Sequence, residues 1–221
     1  MSPVHRALVY TRTTGYRHAS IPAGIAALRD LAADAGFAVD ATEDPGEFTG
    51  PNLAHYKVVV FLSTTGDVLT DNGRSAFRDF VLDGGGFLGV HSAANTETGW
   101  DFFGDLIGAR FTRHPDFQPG TVSLEDQRHP ATAHLPGQWP WTDEWYEFGS
   151  NPRGSVRVLA SVDERTYQDG RMGTDHPLIW CHENCGGRSF YTALGHADEA
   201  YADADFRAHL AGGLTWAARL D

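Results

Sequence analysis

The sequence predicts an α/β fold built on a doubly wound, mostly parallel sheet. Three observations lead there. Short apolar runs such as residues 58–62 sit between polar loops and glycines, as strands buried on both faces do. They alternate with amphipathic stretches of helical period, giving the order β-α-β-β-α-β with short connections. Residues 84–94 then read Gly84-Gly85-Gly86-Phe87-Leu88-Gly89-Val90-His91-Ser92-Ala93-Ala94. There an apolar run leaves a glycine turn and ends on a histidine among small residues. That is the pattern of a strand-turn-helix elbow, which lifts one side chain above the sheet.

The elements follow in order. Residues 6–10 make the first strand, and its exit loop over 11–19 carries Gly15, Tyr16, Arg17 and His18. Ser20 stands at an N-cap position and Pro22 suits the first helical turn. Ile25, Leu28, Leu31 and Ala32 recur at helical spacing until Gly36 ends the helix. Residues 37–41 form a second strand and 58–62 a third, which leaves through Ser63, Thr64, Thr65, Gly66 and Asp67. Residues 71–82 are helical, with Phe77, Phe80 and Val81 on one side, and 87–90 form the fourth strand, ending at the elbow. A short helix follows over 100–107.

Residues 110–152 differ in character. They carry prolines, short strands such as 121–124, and Trp139, Trp141 and Trp145, and they read as an antiparallel excursion that roofs a site. Residues 156–162 make another strand. Residues 177–182 and 188–194 form an antiparallel pair turned through Asn184, Cys185, Gly186 and Gly187. A helix over 205–220 closes the chain, with Phe206, Leu210, Leu214 and Ala217 facing inward. No repeat or linker interrupts residues 1–221, so one domain is expected.

Composition narrows the function. The chain has 221 residues, enough for a full-sized core, and is 41% hydrophobic and 21% charged, as soluble globules are. Its 17 basic and 29 acidic residues leave a net charge of −12, which argues against nucleic acid or an anionic membrane as partner. Met1-Ser2-Pro3-Val4 leads straight into a strand-like run, without a leader-type apolar region, and no stretch is long enough to span a bilayer. A cytoplasmic location is the expectation. Cys181 and Cys185 flank His182 like half a zinc site, but no second cysteine pair completes it; two reduced thiols near a turn is the plainer reading.

Ligands of open α/β sheets bind beyond the carboxyl ends of the strands. The first strand delivers Arg17 and His18 there, the third Thr64 and Thr65, the fourth His91 and Ser92, and the last Gly195 and His196. His18, His91 and His196 are therefore a candidate cluster. Neutral imidazoles suit a divalent metal, Zn²⁺ or Mn²⁺, and equally suit general acid and base work. Each has a duller alternative: His18 as a helix-capping residue, His91 as a core histidine bonded to backbone, His196 as a turn residue.

Residues 141–148 alternate aromatic and acidic side chains. Rings stack on the C–H faces of sugars while carboxylates accept their hydroxyls, although an amphipathic strand burying its rings reads the same way. Glu144 is the candidate metal ligand or acid/base of this stretch, and Trp145 and Tyr146 are its candidate sugar contacts. His176, in the loop before residue 177, is a site residue or an ordinary loop histidine; His114 and His129, each before a proline, carry a weaker signal. Neither GxGxxG nor a Walker loop occurs, so no nucleotide cofactor is expected. HExxH is absent too. The elbow holds neither Ser nor Cys, which excludes an ordinary acyl-enzyme.

Taken together, residues 84–94, Gly15-Tyr16-Arg17-His18, Asp143-Glu144-Trp145-Tyr146, Asp175-His176-Pro177 and Tyr191-Thr192-Ala193-Leu194-Gly195-His196 resemble the trehalose-utilization (ThuA-like) family, over about residues 6–219. The resemblance implies a class I glutamine amidotransferase-like, flavodoxin-like fold. It also implies a role in disaccharide catabolism by routes that pass through 3-keto sugars. In amidotransferases the elbow holds a cysteine and a downstream histidine completes a triad. Here His91 takes the cysteine's place and His196 the histidine's, so amidotransferase chemistry is not expected. Two function classes remain. One is an enzyme acting on a keto-sugar or related glycoside by elimination or hydrolysis, with His91, His196 and Glu144 as catalytic groups and Arg17, Thr64, Thr65, Trp145, Tyr146 and His176 binding substrate. The other is a non-catalytic sugar-binding or regulatory module. Either takes a small carbohydrate as partner, and either is compatible with a homodimer.

Overall fold

In the computed structural model, which describes residues 5–220, the apolar runs become the middle of a nine-stranded sheet. Residues 1–4, read above as leading into the first strand, and residue 221 lie outside the described part. The chain runs β1 (His5–Tyr10), α1 (Ile21–Asp34), β2 (Phe37–Thr42), α2 (Gly50–Leu53), β3 (Val58–Leu62), α3 (Asp71–Leu82), β4 (Gly86–Val90) and α4 (Asp101–Ile107). It continues with β5 (Phe111–Arg113), β6 (Gln118–Leu124), β7 (Gln138–Asp143), β8 (Glu147–Phe148), β9 (Arg157–Val162), β10 (Pro177–Cys185), β11 (Gly187–Thr192) and α5 (Ala204–Ala217).

The sheet order is β2-β1-β3-β4-β11-β10-β9-β6-β7. From β2 to β11 every pairing is parallel, and β3 and β4 are buried along their whole length, as the doubly wound reading requires. From β11 to β7 every pairing is antiparallel. The middle segment departs here from its expected role as a roof. Val122, Ser123 and Leu124 of β6 pair with Val162, Ser161 and Ala160 of β9, so β6 and β7 prolong the sheet at its edge. The small β5–β8 ribbon stays apart from this sheet as a two-stranded pair.

Local signals explain the helix ends. Thr70 caps α3 by accepting from the Gly73 N–H at 3.0 Å, and Asp203 caps α5 by accepting from the Phe206 N–H at 2.9 Å. Ser20 holds the N-cap place of α1 but makes no side-chain cap. Its backbone is already helical, with φ −70° and ψ −10°, whereas a capping hydroxyl needs extended backbone to reach the turn above. A Cβ on Gly86 would come within 2.2 Å of the Ala217 carbonyl, so glycine there lets the end of α5 seat directly against β4. No described helix is long and apolar enough to cross a membrane.

Phe206, Leu210, Leu214 and Ala217 of α5 are buried as expected, and His209 is buried with them. Its Nδ1 donates to the Ala131 carbonyl at 2.8 Å, while Nε2 lies buried without a hydrogen-bond partner beside Phe190 and Phe206. Burial pushes this imidazole down to about 4. In the unfolded chain it regains its ordinary value near 6.5, so between these values the unfolded state binds more protons and stability falls as pH falls. His209→Asn keeps a donor for Ala131 and removes the titration. Denaturant titrations from pH 7 to 4 are expected to show this variant losing less stability than wild type, by up to roughly 3 kcal/mol. Parallel profiles would refute the assignment.

Candidate active site

The elbow forms as the sequence indicates. After β4 the backbone turns at His91, whose φ is +52°, and residues 91–95 make a short 3-10 turn. This left-handed conformation is rare outside glycine and costs of order 1–3 kcal/mol unless its surroundings hold it. Here Tyr191 donates its hydroxyl to the His91 carbonyl at 2.9 Å, and the ring is wholly buried. His91 Nδ1 lies 2.8 Å from the Ala193 carbonyl. A carbonyl only accepts, so Nδ1 carries the hydrogen and Nε2 is left with its lone pair. Tyr146, kept protonated by burial, donates to Nε2 at 2.9 Å.

His18 comes from the loop after β1. That loop is stitched to the exit of β3: Thr14 N–H donates to the Thr65 carbonyl at 2.9 Å, and Thr65 Oγ1 donates to the Tyr16 carbonyl at 2.7 Å. His18 Nδ1 meets Ser92 Oγ at 3.3 Å, and its Nε2 faces His91 Nε2 at 3.2 Å. Burial, with His91 and His196 nearby, pushes the His18 pKa down to about 3, so the ring is neutral at pH 7.

Glu144 follows β7, and His196 follows β11. One buried carboxylate binds the two segments together. Asp143 accepts from the Glu144 and His196 N–H groups through Oδ1, at 2.9 and 3.2 Å, and from the Gly195 N–H and Trp141 Nε1 through Oδ2, at 2.8 and 2.9 Å. Glu144 Oε2 then lies 3.0 Å from His196 Nδ1 and 3.5 Å from His91 Nε2. The His196 nitrogen is close but poorly aligned for a hydrogen bond and has no other partner. Burial pushes the Glu144 carboxyl up, but His196 and His91 outweigh it and hold the group below the usual carboxylate range. Glu144 in turn raises the His196 pKa.

His18, His91, His196 and Glu144 thus each bring one ligand atom into a group spanning 4.8 Å. Donors about 2.1 Å from one ion stand at most about 4.2 Å apart, so small side-chain rotations close the set. The donors suit a divalent cation: Nε2 of His91 holds its lone pair toward the Tyr146 hydroxyl and the cluster, Nδ1 of His196 is buried without a hydrogen bond, and the carboxylate is ionised. Above them opens a cavity of about 330 Å³, lined by Tyr16, His18, Thr65, His114, Glu144 and Tyr146 among others. That is the low end of the ~300–1,000 Å³ usual for small-ligand sites. A larger hollow of about 700 Å³ between Leu53, Phe80 and Ala218 lies at the opposite ends of the strands and, among the described residues, holds no such cluster.

Other expected site residues stand elsewhere. Arg17 pairs with Glu43 at 2.8 Å and donates to the Thr11 carbonyl, turned away from the cavity. Thr64 is buried against the Thr96 hydroxyl at 2.8 Å. Trp145 is fully buried beside Tyr167, so it presents no face to a ligand. His176 is also fully buried; its Nε2 bonds the Tyr146 carbonyl at 2.8 Å and its Nδ1 meets Glu164 at 2.8 Å. It holds Tyr146 in place from behind. Two residues gain importance instead. Asp143 entered the sequence reading only as a member of the Asp143-Glu144-Trp145-Tyr146 run, without a role of its own. His114 lines the cavity with Nε2 3.5 Å from Glu144 Oε2, while its Nδ1 bonds the Pro115 carbonyl.

A model of the ThuA family, described as trehalose utilisation, matches residues 6–217. The chain belongs to the ThuA family. A ThuA-like protein from Bacteroides uniformis is 27% identical, with a TM-score of 0.82 over 97% of this chain and 91% of that one. Another from Parabacteroides merdae is 22% identical, with a TM-score of 0.78 over 97% and 90%. PurLQS from Thermotoga maritima shares 11% identity and a TM-score of 0.59 over 96% and 98%, which fits a glutamine amidotransferase-like fold. No curated protein matches the chain in sequence. Within this ThuA fold, an imidazole occupies the elbow.

Asp143→Asn leaves the shape of the clamp but replaces one acceptor oxygen by an NH₂ group facing N–H donors. It is expected to lower unfolding free energy by roughly 2 kcal/mol, read from urea denaturation. An unchanged midpoint would show that the clamp is dispensable.

Proposed function

We propose that this ThuA-family protein is a carbohydrate-active enzyme of disaccharide or glycoside catabolism, acting on a keto-sugar or a related glycoside. The observation that carries the reading is the convergence of His18, His91, His196 and Glu144 beneath an open, sugar-sized cavity. The family's link to trehalose utilisation supports a sugar as the ligand.

The three imidazoles and Glu144 are proposed to hold a divalent cation, Zn²⁺ or Mn²⁺. Bound there, it would supply positive charge beside an oxygen that becomes anionic during reaction, an effect commonly worth ~3 kcal/mol per well-placed donor. A nitrogen that binds an ion cannot also accept a proton. With His91 and His196 so engaged, proton transfer falls to His114 and to the Glu144 oxygen that does not bind the ion, both residues lining the cavity. Without an ion, His91 Nε2 and His196 are the bases.

A carbonyl at C3 of a sugar acidifies the proton at C2. The base takes that proton, its electron pair enters the enolate, and the enolate expels the C1 oxygen. The C1–O bond breaks, C1 and C2 become doubly bonded, and the departing oxygen takes up a proton to leave as an alcohol. Direct attack of water at C1 is the hydrolytic variant. Its product has no double bond, which separates the two by mass and by ultraviolet absorption.

Metal content of untagged, as-purified protein, read by mass spectrometry, is expected to be stoichiometric in wild type and lost in both His91→Asn and His196→Ala. Asparagine tolerates the left-handed backbone at position 91. His91→Asn is also expected to abolish turnover of a 3-keto-glucoside while folding normally. Full activity of that variant would overturn the assignment. Sugar binding by wild type without turnover of any oxidised sugar would leave a binding module instead.

A further inference from the structure

His18 and His91 face each other across the cluster, and different groups hold their second nitrogens. His91 Nδ1 lies 2.8 Å from the Ala193 carbonyl. A carbonyl only accepts, so the tautomer of His91 is fixed with its lone pair on Nε2. His18 has a hydroxyl in the corresponding place. Its Nδ1 lies 3.3 Å from Ser92 Oγ, and both residues are buried. A hydroxyl donates or accepts, so either tautomer of His18 is satisfied there.

The other end of the ring decides between them. His18 Nε2 faces His91 Nε2 at 3.2 Å. Two lone pairs at that distance would repel, so the one hydrogen of the neutral His18 ring sits on Nε2. It donates to the same lone pair that the Tyr146 hydroxyl meets. Nδ1 of His18 is then an acceptor, with the Ser92 hydroxyl as its donor.

That hydrogen stands on the nitrogen turned into the cluster. A nitrogen that carries a hydrogen has no lone pair to give a cation, and the free lone pair of His18 is turned to Ser92. Ligation through Nε2 therefore requires the hydrogen to move to Nδ1. Solvent takes it from one nitrogen and returns one to the other, so the charge of the ring does not change. Ser92 Oγ must then accept from Nδ1–H, and its own hydrogen turns to the cavity that Ser92 lines.

We infer that Ser92 is a positioning residue for the cation site: its hydroxyl reverses from donor to acceptor and so lets His18 ligate through Nε2. This rests on the cation reading above. Alanine at position 92 could do neither. A carbonyl there would hold His18 permanently in the ligating form, as Ala193 holds His91. Serine instead lets His18 close the cluster with a hydrogen bond to His91 and open it when a cation arrives.

The hydrogen is read directly on full-length wild type labelled with ¹⁵N-histidine, by long-range ¹H–¹⁵N correlation, with His18→Ala identifying the His18 signals. In chelator-treated protein His18 is expected as the Nε2–H tautomer. One equivalent of Zn²⁺ is expected to convert it to Nδ1–H. Ser92→Ala is expected to weaken Zn²⁺ binding about ten- to hundred-fold by isothermal titration. In a His18→Ala background the same substitution is expected to change the affinity by less than about two-fold, because Ser92 acts through His18. Three results would overturn the inference and leave the cation reading standing: His18 already Nδ1–H after chelation, no change of tautomer with Zn²⁺ bound, or an equal cost of Ser92→Ala in both backgrounds. Failure of wild type to take up Zn²⁺ would overturn the two together.

Discussion

Four N–H donors converge on the buried carboxylate of Asp143, and the candidate site depends on that convergence. β7 is the outermost strand of the antiparallel half and β11 borders the parallel half, so Glu144 and His196 start on strands that share no pairing. A carboxylate accepting from both segments fixes their separation more firmly than apolar packing would, because each N–H bond has a direction as well as a distance. The same oxygens satisfy backbone donors that would otherwise be buried without partners. One side chain thus brings a base-sized carboxylate within 3.0 Å of an imidazole that follows a different strand.

The cluster lies on the seam of a mixed sheet. His18 and His91 follow β1 and β4, both in the parallel half, while Glu144, Tyr146 and His114 come from the antiparallel excursion. His196 follows β11, the strand at which the pairing changes from parallel to antiparallel. The parallel half positions its histidines by strand ends and a strained turn. The excursion contributes the carboxylate, the phenol and the Phe111 and His114 rings that line the cavity. A division of this kind lets the excursion vary in sequence without disturbing the elbow.

Much of this was legible in the sequence. β3 and β4 are unbroken apolar runs ended by glycine or polar loops, and their burial on both faces leaves few other placements. The rule that ligands gather beyond strand carboxyl ends brought His18, His91 and His196 together before any coordinates did. Less of the excursion could be read. β6 and β7 contain prolines and alternate in burial, and whether such strands roof a sheet or prolong its edge depends on pairing with β9, a long-range contact with no local mark. Trp145 and Tyr146 are neighbours of like composition. Only the backbone path decides that Tyr146 reaches His91 while Trp145 turns into the core. The clamping role of Asp143 was silent for a related reason: two of its partners are backbone groups more than fifty residues away.

The left-handed backbone at His91 limits how this protein can drift. Glycine at that position would relieve the turn and lose the imidazole in one step. Selection for robustness alone would favour that exchange, since sites that hold strain are sites where stability and activity trade against each other. A histidine retained at the elbow is therefore informative in any lineage of this fold. Where glycine replaces it, the scaffold is freed of the strained turn and the cluster loses the imidazole that the elbow contributes, even if every strand and helix is intact.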